Sequence, residues 1–175
     1  MFTNRTRLFI GSLFFISLIL LISVRLYEFA AVAVLMLVAL VWDYFNQGTL
    51  IIASKHFFHK DYQKTSEVLA QIKKPDWLGK KRRGYYEYIM GGVCLQNHDF
   101  DGAMRHYENS VKYPLRSVND HVAALVHVAN ISIRQKNYAK AEAFIDLANQ
   151  HEAKINAKMK DVIERLKKEL KTHEH

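Results

Sequence analysis

Three segments of this chain repeat one pattern at an even spacing. Phe100 and Tyr138 each follow a polar turn and are followed three residues later by a small residue, Ala103 or Ala141. A large apolar residue comes four after that (Tyr107; Ile145), and a second small one three further on (Ser110; Ala148). A fainter copy places Tyr62, Thr65, Leu69 and Ile72 in the same positions, so that Thr65, Ala103 and Ala141 each stand 38 residues from the next. An even period of this size belongs to stacked supersecondary units, each of which can bury its apolar face only against a neighbour. With 7 glycines and 2 prolines in 175 residues, the units read as helices and not as turn-rich strands. The pattern predicts helix pairs at 48–58 with 61–73, 84–97 with 100–113, and 121–135 with 138–151. Beyond them Ile155, Met159, Val162, Ile163, Leu166 and Leu170 recur at helical spacing and predict one more helix, over 154–170.

Charge divides the chain. Residues 1–47 carry only Arg5, Arg7, Arg25, Glu28 and Asp43, while the remaining 128 hold 22 Lys or Arg against 15 Asp or Glu. In the apolar head, Leu8 to Val24 is uncharged for 17 residues and Phe29 to Trp42 for 14. The residues after the first run do not form a small-x-small cleavage site, which argues against a secretory signal. The expectation is a transmembrane helical hairpin over residues 1–46, turning at Arg25 to Glu28, with Tyr27, Trp42 and Tyr44 at the interfaces and Asp43 among headgroups. Arg5, Arg7, Lys55 and Lys60 would keep both termini and the repeat domain cytoplasmic, with a bacterial inner membrane as the setting. The second apolar run is expected to continue as helix past Asn46. Cys94 is the sole cysteine and excludes an internal disulfide.

At its repeat residues the chain resembles the tetratricopeptide repeat family. Met90-Gly91 stands where that family has Leu-Gly, with Val128-Ala129 and Ile52-Ala53 in the other two units. The early Trp of the motif is replaced by Thr49, Glu87 and Leu125, its first-helix Tyr by His56, Cys94 and Ser132, and the period exceeds the family's by about four residues. The resemblance covers residues 47–151, strongest in the last two units. It implies an all-α fold, a short α-solenoid of about three helix pairs, with 152–175 as a capping helix and polar tail.

The resemblance also implies a concave groove lined by first helices, presenting Tyr85, Tyr88, Ile89, His127, Asn130 and Arg134 to a partner protein or peptide, with Leu50, Ser54, Phe57, Gly92 and Val126 beside them. The family's terminal-carboxylate clamp is not complete here, since only Asn130 and Arg134 suit it. A second candidate surface is the basic loop of Lys73, Lys74, Lys80, Lys81, Arg82 and Arg83, with Trp77 among them. It suits anionic lipid headgroups beside the expected membrane span, or RNA; nucleic acid is the less expected of the two. Cys94 and His98 are spaced as a thiolate–imidazole pair, but nothing in the sequence supplies an oxyanion hole. The histidines show no metal-ligand spacing, and no phosphate loop or catalytic acid pair is present. The sequence therefore predicts a non-enzymatic, membrane-anchored scaffold or adaptor without cofactor or metal. Its alternative is a basic helical-repeat protein that binds RNA or anionic lipid through 73–83.

Overall fold

The computed structural model describes the backbone of residues 4–23 and 26–173 and the side chains of 12–17, 19–23, 26–38 and 48–173. Every regular element among them is helical: α1 Asn4–Ser23, α2 Tyr27–Phe58, α3 Tyr62–Leu69, α4 Lys80–Gln96, α5 Phe100–Val111, α6 Val118–Arg134, α7 Tyr138–Asn149 and α8 Ala157–His173, with 3₁₀ turns at Pro75–Trp77 and Glu152–Lys154. The chain divides into two compact units, Met1–Thr49 and Leu50–His175. The expected third region, 152–175, falls within the second.

The first unit corrects the membrane reading. Its helices form, and α2 continues past Asn46 to Phe58 as expected, but no helix among the described residues is long and apolar enough to cross a membrane. The uncharged runs explain this. At 1.5 Å per residue, 17 residues reach about 25 Å and 14 reach about 21 Å, against a hydrocarbon core of about 30 Å. Arg25 and Glu28 limit the runs at one end, and Asp43, Asn46 and Gln47 at the other. The transmembrane hairpin, the inner-membrane location, the cytoplasmic placement of both termini and the membrane contact through residues 8–45 are therefore not supported. Arg25 lies outside the described residues, as do the side chains of Arg5, Arg7, Trp42, Asp43 and Tyr44. Ala30 and Ala33 are buried, whereas Phe15, Leu20, Phe29 and Leu35 are exposed.

The second unit is a row of antiparallel helix pairs: the end of α2 with α3, α4 with α5, and α6 with α7. The three pairs close through the same turn. Lys60, His98 and Lys136, again 38 residues apart, have left-handed backbones with φ of 60°, 60° and 58°. One residue on, Asp61, Asp99 and Asn137 donate their N–H to His56, Cys94 and Ser132 carbonyls at 3.0, 2.9 and 2.8 Å. Lys60, His98 and Lys136 also donate to the Phe57, Leu95 and Ile133 carbonyls, at 2.9, 3.2 and 2.9 Å, and this doubly bonded helix ending satisfies carbonyls that the helix leaves open. The same Asp61, Asp99 and Asn137 cap the next helix, accepting from the N–H of Lys64, Gly102 and Lys140 at 3.2, 2.8 and 3.2 Å. One polar residue thus ends its turn and starts the following helix in each repeat.

The repeat anchors are the helix crossings. Thr65, Ala103 and Ala141 are fully buried, and so are Ala53, Gly91 and Ala129 on the first helices. Small side chains at both sides of a crossing let the helices approach, and the space is filled by Leu69, Tyr107 and Ile145. At Gly91 an added Cβ would lie 3.0 Å from the Tyr107 ring. At Gly92 it would collide with the Phe57 ring. α8 then covers the last pair with Ile163, Leu166 and Leu170, joined by Ile155, in one cluster with Val122, Leu125, Ala141 and Ile145. Met159 and Val162 pack on its edge. The predicted face is the observed one.

Several boundaries differ from the sequence reading: α6 begins at Val118 and not at 121, and α8 runs over Ala157–His173 and not over 154–170. α3 stops at Leu69 and not at 73. α4 begins at Lys80, because Gly79 serves as its N-cap and does not break it. Four residues read as loop thereby become the first turn of a helix.

Candidate functional site: a recess between the second and third helix pairs

An aromatic row runs through the middle of the repeats and sets the position of the recess. Phe57 meets Tyr88 edge-on at 6.3 Å, Tyr88 meets Tyr107 at 5.8 Å, and Tyr107 stacks on His127 at 4.6 Å and 15°. Tyr85 lies parallel to Tyr88 at 6.4 Å. Burial pushes the Tyr88 phenol up to about 12, and Tyr107 higher still. Burial draws His127 the other way, to about 4, so its imidazole is neutral at pH 7.

His127 lines a recess of about 280 Å³ together with Leu95, His98, Phe100, Asn130, Ile131 and Arg134. The left-handed turn supplies His98 to this lining, and the end of α6 supplies Arg134. Arg134 Nε donates to Asn130 Oδ1 at 3.2 Å, and its guanidinium carbon lies 5.7 Å from the Phe100 ring centre. A second recess of about 490 Å³ adjoins the first and shares His98, Phe100 and Arg134, adding Asp99, Asp101 and Gln135. Gln135 is held there by its amide, which donates to Asp101 at 2.8 Å. The floor is apolar, and the rim carries the Arg134 guanidinium bonded to the Asn130 amide, beside the neutral His127 imidazole. Such a mixture orients a ligand by a few polar contacts while burying apolar area.

The six groove residues of the sequence reading separate here. His127, Asn130 and Arg134 line the recess together. Ile89 is in the core with Leu50, Ala53 and Leu69. Tyr85 and Tyr88 belong to the aromatic row, half-buried and packed against that same cluster. The spacing put all six on first helices correctly, but the 3.6-residue turn carries Ile89 inward. Leu95, His98, Phe100 and Ile131 complete the recess and were not predicted as site residues. The period itself could have found His98, since it marks the turn position shared with Lys60 and Lys136.

The basic residues also separate. Lys73, Lys74, Lys80 and Lys81 are exposed, but Arg83 is committed to the interior. Its guanidinium bonds Glu87 at 2.7 Å and Asp76 at 2.8 Å. Glu87, only 1% exposed, also receives His106 Nδ1 at 2.6 Å. This buried carboxylate joins α4 to α5 and, through Arg83, to the turn before α4. Cys94 is half-buried, and burial with the nearby Asp99 carboxylate raises its thiol. Burial thus disfavours the thiolate that a pair with His98 would need. Among the described residues no three His, Cys, Asp or Glu side chains are grouped to hold a metal ion.

No family model, no curated protein and no solved structure matches the chain. The tetratricopeptide assignment therefore has no support beyond the residues that suggested it. The supported description is the coarser one, antiparallel helix pairs packed as in an α-helical solenoid.

Proposed function

We propose that residues 50–175 form a helical-repeat interaction module that holds a segment of a partner protein at the recess between the second and third helix pairs. The observation that carries this is the rim set of His127, Asn130 and Arg134 over the floor of Leu95, Phe100 and Ile131. Arg134 is exposed, and its Nε alone is engaged among the described contacts. An Arg held over an aromatic ring beside an apolar floor is a favourable anchor for a protein interface. The segment's apolar side chain would fill the floor, and its carbonyls or an acidic side chain would meet Asn130 and Arg134.

The test is a photo-activated crosslinker placed at position 130 in the full chain, and at exposed position 142 as a control. The expected result is a partner captured from 130 and not from 142, with capture falling about tenfold or more in Arg134→Ala. Equal capture from both positions, or capture indifferent to Arg134→Ala, would refute the reading.

A further inference from the structure

The turn before α4 is built, not slack. Trp77 N–H donates to Lys74 O at 3.1 Å and Leu78 N–H to Pro75 O at 3.0 Å, Leu78 is buried, and Arg83 holds Asp76. Asp76 is the one carboxylate between Lys73 and Arg83, so its charge is already neutralised from within. Lys73, Lys74, Lys80 and Lys81 remain exposed and form no ion pair among the described residues. Lys80, Lys81 and Arg82 occupy the first turn of α4, whose N-cap Gly79 offers no side chain and whose first turn has no acid. Cations at that end oppose the helix dipole. In their midst Trp77 is 61% exposed, with the Lys74 ammonium 4.3 Å from its ring centre.

We infer that the surface of Lys73, Lys74, Trp77, Lys80 and Lys81 binds single-stranded nucleic acid, with the lysines on phosphates and the indole stacked on an unpaired base. The lysines and the helix end both favour a polyanion. The exposed indole selects among polyanions, because a single strand offers a free base face and a duplex does not. A lipid surface fits less well. Trp77 is the only exposed large apolar side chain in 73–83, too little area for an interfacial anchor. The case for lipid also rested on an adjacent membrane span, which no helix among the described residues provides.

The experiment measures binding of a fluorescent oligo-uridine strand to the full chain over a range of salt. Four neutralised phosphates at about −0.7 each predict a log–log salt slope near −3. Alanine at Lys73, Lys74, Lys80 and Lys81 together should remove most of that slope, while Trp77→Ala should weaken binding about tenfold and Trp77→Phe much less. A charge-matched variant with alanine at exposed Lys154, Lys158, Lys168 and Lys171 should keep the affinity within about twofold at moderate salt. Unchanged melting temperatures confirm that all variants are folded. The inference fails if the oligonucleotide does not bind, or if both four-lysine variants weaken binding equally, which would mean net charge alone. It also fails if vesicles containing anionic lipid bind through these lysines and the oligonucleotide does not.

Discussion

Glu87 shows how one residue can carry a connection that periodicity does not display. Its position on α4 is readable as a helix crossing, but nothing in the sequence says that Arg83 and His106 converge on it. Removing Arg83 leaves the buried Glu87 carboxylate with His106 alone, whereas removing Glu87 leaves Arg83 its partner Asp76. Arg83→Ala should therefore cost about 3–5 kcal/mol in urea unfolding, because breaking a buried pair strands the remaining charge, and Glu87→Ala about 2 kcal/mol. Lys80→Ala and Lys81→Ala, a few residues away on the surface, should stay within about 0.5 kcal/mol. Four equal values would contradict the buried network. His127 gives a second test at this scale. Its folded pKa of about 4 lies below the ordinary 6.5, so between those values the unfolded chain takes up a proton that the folded chain refuses. Stability from this residue is complete above about pH 6.5 and is lost as pH falls through the window towards 4. His127→Phe keeps an aromatic ring against Tyr107 and should flatten that loss. Parallel stability curves for the two proteins between pH 7 and 4.5 would count against a buried neutral imidazole.

At the scale of elements, the repeat was legible where side-chain size decides and illegible where charge or backbone sign decides. Ala103, Ala141, Leu69, Tyr107 and Ile145 were read as crossings and fillers because only small-then-large spacing packs two helices closely. The α8 face was read because apolar residues at helical spacing admit one register. The start of α4 was misplaced because its N-cap, Gly79, has no side chain to mark it. The left-handed turns went unread because Lys60, His98 and Lys136 are not glycines. A non-glycine there carries a steric cost of roughly 1–2 kcal/mol, which the double hydrogen bond of the turn holds in place. Lys136→Gly should therefore leave stability unchanged or raise it by up to about 1 kcal/mol, net of the added freedom of the unfolded chain. A marked loss in thermal unfolding would mean that the Lys136 side chain contributes something beyond the turn. Lys140 makes a link that the period does not display: it pairs with Glu108 at 2.6 Å and joins the second helix pair to the third.

For the whole molecule, the sequence disclosed the number of helix pairs and their order, but not the recess, because a recess is a gap between units and not a property of any one. His127, Asn130 and Arg134 were placed on the right helix by the period. Their partners Leu95, His98 and Phe100 come from the neighbouring unit, where sequence distance says nothing about proximity across the junction. The apolar head misled for a related reason. Its uncharged runs resemble membrane helices in composition, yet their length and the flanking Arg25, Glu28 and Asp43 fall short of a span. Tyr88 corrects the groove in the same way. It belongs to the aromatic row, so its truncation would report on folding and not on binding alone. The central claim is that the recess binds and the aromatic row supports it. The direct measurement is the affinity of the crosslinked partner segment for the full chain and for Arg134→Ala, with the melting temperature of each taken alongside. The account predicts affinity reduced about tenfold or more with melting within about 2 °C of the parent. Unchanged affinity, or a loss that tracks a fall in melting temperature, would contradict it.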